Sequence, residues 1–170
     1  MTKRRLRHSG DNEVGTMRIT MQSTLRTSPD LLWASMKRPS AFRKVASPLM
    51  AFRYADNANG FPAQWSAGKP YRLRMYLLGW LPLGHHTITF ATIDDGRRTV
   101  TTDETGRLFR TWRHTMRVTR VDERTSVFRD ELSFDSGLFT LPASVGVYLF
   151  FAYRHMRLKQ LIRSGWQGLS

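Results

Sequence analysis

The sequence predicts an α+β fold, with a curved antiparallel sheet of about seven strands wrapped around one long C-terminal helix and two short helices after the first strand. Three observations lead there. Residues 17–24 alternate apolar and polar side chains. Residues 50–134 break into short alternating segments divided by turn residues. Residues 142–163 then read as a single long helix.

The elements follow in order. In 17–24, Met17, Ile19 and Met21 face one way while Arg18, Thr20 and Gln22 face the other, the pattern of a half-buried strand. A short helix comes next. Ser28 can cap it, Pro29 suits its first position and Asp30 suits its positive end. Leu31, Leu32, Trp33 and Met36 form its apolar face. A second helix is predicted over 39–46, with Phe42 and Val45 inward and Pro48 as its stop. Strands are predicted at 50–55, 71–78, 85–93, 98–104, 109–121 and 126–134. The stretch 56–70 is turn-rich and 79–84 (GWLPLG) is a Pro/Gly corner; 56–68 and 81–84 are candidate lid loops. Strands at this spacing form antiparallel hairpins.

As a helix, 142–163 would extend about 33 Å. Its first half, VGVYLFFAY, is apolar all round, and burial on both sides, between a sheet and a cavity, is expected for it. In its second half Leu158, Leu161 and Ile162 oppose Arg157, Gln160 and Arg163. His155, beside Arg154, reads as a surface or helix-end residue. Residues 137–153 carry no charge, but Pro142 opens the helix and leaves about twelve uncharged helical residues, too few to cross a bilayer.

The 170 residues make one domain, over 17–163, with a disordered basic leader at 1–16 and a short tail at 164–170. The leader lacks the apolar stretch of a secretory signal. No cysteine is present, which excludes disulfides, thiolate metal sites and a cysteine nucleophile. The five histidines include adjacent His85 and His86, which on a strand face opposite ways, so no metal site is expected. No cofactor is expected either: there is no phosphate-binding loop, dinucleotide fingerprint or nucleophile elbow. The net charge is +14, which favours anionic partners. Arg113, Arg117 and Arg129, with Arg72 and Arg74, could form a basic plane on the outer sheet face.

His114 and Asp130 are the candidate catalytic residues. Trp112, His114, Met116 and Val118 share the more apolar face of one predicted strand; Phe128, Asp130, Leu132 and Phe134 share that of the next. If both faces point inward, Asp130 lies opposite Met116 or Val118, within reach of His114 through a bridging water. Such a pair can move protons, or can simply satisfy each other at a cavity floor. Asp103 and Glu104 alternate faces, so they are not read as paired carboxylates.

The first strand running into SPDLLWASMKRPSAF, together with GWLPLGHHTITF, TWRHTMRVTRVDERTSVFRDELSF and FFAYRHMRLKQLI, resembles the START/Bet v 1-like (SRPBCC) superfamily with its helix-grip fold. The similarity is to the bacterial polyketide cyclase/dehydrase and lipid-transport branch, and covers about residues 17–162. The resemblance implies a deep apolar cavity between sheet and C-terminal helix. Its expected lining is Trp33, Tyr71, Leu73, Met75, Leu77, His86, Ile88, Phe90, Trp112, Met116, Phe128, Leu132, Leu149 and Phe151. The first functional expectation is binding, transport or sequestration of a hydrophobic molecule such as a lipid, polyketide or quinone. A cyclase/dehydratase using His114 and Asp130 without metal is the second. An RNA- or ribosome-associated protein is the third. A cytoplasmic location with transient contact to an anionic membrane surface is expected.

Overall fold

The structure, a computed structural model, describes residues 16–56 and 60–165. The leader reading, Thr16 aside, and residues 166–170 of the tail therefore lie outside the described residues. So do residues 57–59 of the first candidate lid loop.

The elements are β1 (Met17–Leu25), α1 (Pro29–Met36), α2 (Pro39–Ala46), β2 (Met50–Tyr54), β3 (Pro70–Leu77), β4 (Leu81–Asp94), β5 (Thr99–Gly106), β6 (Thr111–Arg120), β7 (Ser126–Asp135) and α3 (Thr140–Arg163). The sheet order is β1-β7-β6-β5-β4-β3-β2, and every neighbouring pair is antiparallel. From β2 to β7 each strand pairs with the next. β1 joins at the far edge, so α1 and α2 carry the chain from one edge of the sheet to the other. Bulges at Met75/Tyr76 and Phe90/Thr92 add local bend to the sheet. The concave face left by this bend receives α3, in the helix-grip arrangement.

Local chemistry accounts for the short elements. Ser28 accepts a hydrogen bond from the Leu31 amide at 3.2 Å and caps α1, with Pro29 in its first turn. Leu32, Trp33 and Ser35 are buried, but Leu31 is exposed, a correction to the expected apolar face. Eight residues make two turns, and only one flank of α1 meets the sheet. The predicted corner shrinks to a three-residue turn, Leu78 to Trp80, in which Leu78 and Gly79 take positive φ. Residues 81–84 belong to β4 instead of forming a loop.

The core has two apolar clusters. One gathers Trp65, Tyr71, Phe90 and Phe52 with Leu32, Val45, Leu158 and Leu161. The other gathers Trp112, Leu132 and Phe134 with Val147 and Phe151 of α3. The first half of α3 departs from expectation. Its inner stripe is buried, while Leu141, Val145, Tyr148 and Leu149 are exposed. These four share one flank at helical spacing. Sheet and cavity occupy the inner flank alone, so the expected burial on both sides does not occur.

Candidate functional site

A cavity of about 900 Å³ lies between the concave sheet face, α2 and α3. Of the residues expected to line it, Met75, Leu77, His86, Ile88, Phe90, Trp112, Met116, Phe128, Leu149 and Phe151 stand in its wall, and so does His114. Four others do not. Trp33 turns its indole Nε1–H to Asp95 Oδ1 at 2.6 Å, away from the cavity. Tyr71 is covered by Trp65, whose ring meets it edge-on, and its hydroxyl accepts from the Ser66 amide at 2.8 Å. Leu73 is wholly buried in the same cluster. Leu132 is sealed in the second cluster, with Phe151 and Val147. Asp130 also lies off the cavity, behind His114. Sequence reading placed Phe42 and Val45 of α2 inward without assigning them to the cavity and missed Trp65 and, on β5, Thr102 and Glu104; all five line the wall.

Strand register brings the first polar group together. Met116 of β6 pairs with Asp130 of β7, which places His114 diagonal to the carboxylate. His114 Nε2 meets Asp130 Oδ1 directly at 2.6 Å, so the expected water bridge is not needed. The second carboxylate oxygen is taken by His155. Its Nε2 lies 2.9 Å from Oδ2, and its Nδ1 lies 2.8 Å from Ser23 Oγ of β1. His155 is only 6% exposed, against the surface position expected for it. The signal was present: His155 lies three residues before Leu158, on the inward stripe. A carboxylate only accepts, so each histidine donates from Nε2. That leaves Nδ1 as the other ring nitrogen of cavity-facing His114.

A second pair lines the wall beside the first. His86 Nε2 donates to Glu104 Oε2 at 2.6 Å, and the Thr102 hydroxyl donates to Oε1 at 2.6 Å. His86 Nδ1 is buried without a partner. Gly106 makes room for this ring, because a Cβ there would stand 2.8 Å from Nδ1. Glu104 was the harder residue to read, since its own strand is Thr-rich and its inward face holds Val100, Thr102 and Glu104. His85 points to the exposed side of β4.

Burial pushes the Asp130 carboxyl up, yet the charge and hydrogen bond of His114, the hydrogen bond of His155 and the charge of Arg154 outweigh it. They hold Asp130 well below the usual carboxylate range. For Glu104, burial again pushes up and His86, by hydrogen bond and charge, wins, aided by the charge of His114 and the Thr102 bond. Both groups are therefore carboxylates at neutral pH. On the outer sheet face the arginine plane is partly neutralised. Arg113 pairs with Asp103 at 2.9 Å and Arg129 with Glu131 at 2.6 Å.

A family described as Domain of unknown function (DUF8410) matches residues 23–162. The chain belongs to the DUF8410 family. No curated protein sequence matches it. Solved structures share the fold of this DUF8410 chain at low identity. The Zhui aromatase/cyclase from Streptomyces sp. R1128 is 11% identical with a TM-score of 0.65, covering 87% of this chain and 94% of its own. Norcoclaurine synthase from Thalictrum flavum, in complex with dopamine and hydroxybenzaldehyde, is 12% identical with a TM-score of 0.62, covering 95% and 98%. Major latex-like protein 151 from Panax ginseng is 10% identical with a TM-score of 0.60, covering 86% and 97%. The fold of the DUF8410 chain is thus the START/Bet v 1-like one.

The depressed carboxylates set an acid dependence. Their unfolded values lie near ~3.9 for Asp and ~4.3 for Glu. Between those values and the lower folded ones, the unfolded chain binds more protons. The stability they contribute is complete above about pH 5 and drains as pH falls through the folded values. Urea melts across this range should show Asp130→Asn less stable at neutral pH, by roughly 3 kcal/mol or more, but with a shallower acid slope. Equal slopes in the two proteins would refute the assignment.

Proposed function

We propose that this DUF8410 chain binds a hydrophobic small molecule in its cavity, with the molecule's polar end on the floor of His86, Thr102, Glu104 and His114. The observation that carries the reading is the cavity itself. Its volume of about 900 Å³ lies within the range of ligand pockets, roughly 300–1,000 Å³. Its walls are mainly aliphatic and aromatic, with a few convergent polar groups. Neighbours of the same fold support the reading: one is an aromatase/cyclase, and another is seen with dopamine and hydroxybenzaldehyde.

Catalysis is the second reading, favoured by His114. With Nε2 committed to Asp130, Nδ1 is the nitrogen available to accept a proton from a bound molecule. Asp130 would be a positioning residue, since it does not reach the cavity. For an RNA partner the support is weaker, because Arg113 and Arg129 are already paired.

The exposed apolar flank of α3, with the turn Gly137–Phe139 that leads into it, bears on how a ligand arrives. Leu138, Phe139, Leu141, Val145, Tyr148 and Leu149 are exposed together, and Phe139 and Leu149 also line the cavity, as do Arg107 and Arg110. Apolar and cationic groups at one rim suit an anionic lipid surface. No helix among the described residues is long and apolar enough to cross a membrane. We propose transient docking there as the route of loading.

Three measurements check these readings. Native mass spectrometry of protein from its own host should show an adduct of a few hundred daltons, which Ala143→Trp, filling the cavity, should lose while remaining folded. An apo mass in both proteins, with no small molecule taken up from a hydrophobic library, would sink the binding reading. Where a turned-over substrate is found, His114→Gln should abolish turnover and leave affinity within about three-fold; undiminished turnover removes His114 from the chemistry. Phe139→Ser with Leu149→Ser should reduce co-sedimentation with phosphatidylglycerol vesicles by about ten-fold, through lost apolar burial. Unchanged sedimentation would exclude the rim.

A further inference from the structure

Arg154 brings a full positive charge to the wall of this cavity. It lies on the inner side of α3 and lines the wall. Its guanidinium carbon stands 4.8 Å from the centre of the Phe151 ring and 5.8 Å from that of Phe150. The two rings hold it in place through their π-faces. Its Nε is buried and has no hydrogen-bond partner. Among the described residues no carboxylate oxygen lies within ion-pair distance of it, although its charge is felt at Asp130.

The Arg154 Nε carries almost no accessible surface, so a guest in the cavity can bond only the terminal Nη atoms of the guanidinium. The two buried carboxylates of the site make no hydrogen bond to Arg154. Both oxygens of Asp130 are taken by His114 and His155, and both oxygens of Glu104 by His86 and Thr102. Moving either would strand a buried imidazole. Two more arginines, Arg107 and Arg110, stand in the same wall. Among the described residues the cavity wall thus holds three arginines, and neither buried carboxylate of the site is bonded to Arg154. A planar guanidinium fork fits a carboxylate, sulfonate or phosphate with two parallel hydrogen bonds.

We infer that the ligand is an amphipathic acid: an apolar body filling the cavity, and an acidic group taken by Arg154. This rests on the binding reading above and narrows it, since neutral quinones and unmodified hydrocarbons would leave Arg154 without a partner. The geometry gives the acid one anchor on α3 and leaves the histidine floor to a second polar group of the same molecule.

The test uses two fluorescent probes with one aromatic framework, 1-anilinonaphthalene-8-sulfonate and N-phenyl-1-naphthylamine, which lacks the sulfonate. Each is titrated into the full chain. Arg154→Gln should weaken the sulfonate about ten-fold, the usual worth of a charged hydrogen bond, and leave the neutral probe within about two-fold. That retained affinity also shows the cavity intact. Arg154→Lys, which keeps the charge and loses the fork, should fall between. Arg117→Gln, on the outer sheet face, should change neither probe. An unchanged sulfonate affinity in Arg154→Gln overturns the inference while the binding reading stands. So does equal weakening of both probes in Arg154→Gln and Arg154→Lys alike, which assigns Arg154 to packing. Failure of both probes to bind the unaltered chain overturns the binding reading itself, and the inference with it.

Discussion

An ionised carboxylate with no access to water must find its compensation inside the protein, and Asp130 sets that requirement for this fold. It is 0% exposed and binds His114 of β6 and His155 of α3. His155 in turn binds Ser23 of β1. Three adjacent strands and the long helix are thus tied at one point. The consequence for α3 is geometric. A shift of one residue turns a helix by about 100°, which would carry His155 off the carboxylate. So the group fixes the rotation and axial position of α3 over the sheet. Where the apolar stripe of Val147, Phe151, Leu158 and Leu161 would tolerate some sliding, the polar contact does not.

The pair of His86 and Glu104 repeats the same solution without a third element. β4 gives His86, β5 gives Thr102 and Glu104, β6 gives His114 and β7 gives Asp130, so one polar band crosses four consecutive strands. Within it the two carboxylates are acceptors for side chains already in place, and the imidazole Nδ1 atoms are what the band has left over. The charge of His114 also acts on Glu104, so the two pairs are not electrostatically independent. A band of this kind in an apolar cavity orients a guest by giving its polar end one place to go. It also explains why Gly106 faces His86: any side chain there would displace the ring that completes the band.

Much of this was legible from strand periodicity. Alternation has a period of two, so placing one inward residue on a strand places the rest, and the shared inward face of His114 and Asp130 followed from that. What periodicity cannot supply is how far along a strand the helix seals the sheet. Leu73 and Leu132 face inward as read, yet they lie under packed cover and not under the cavity. Glu104 obeys the same alternation, but Thr102 and Glu104 dilute the apolar signal of their face, so the inward side of β5 was not recognised. α3 failed for a different reason. An all-apolar segment has no phase, so its exposed flank, Leu141 to Leu149, could not be separated from its buried one. Phase was recoverable only from the amphipathic half, where counting back from Leu158 reaches His155.

The cavity and the core draw on the same side chains, and this links binding to stability. Phe90, Trp65 and Phe128 belong to one apolar cluster and Trp112 and Phe151 to the other, and all five also face the cavity. On the cavity side they lack the contacts that a close-packed interior would give them. A guest that fills the volume supplies those contacts in the folded state alone, so it stabilises that state by about 2.7 kcal/mol when present at a hundred times its dissociation constant. The polar band and Arg154 add direction to this general attraction. They stand on different walls, the sheet and the helix, and flank the same Phe151 ring, whose centre lies 5.1 Å from that of His114 and 4.8 Å from the Arg154 guanidinium carbon, so a molecule meeting both needs more than one polar group beside its apolar body. Shape alone would admit many guests of the right volume; the two polar anchors are what would choose among them.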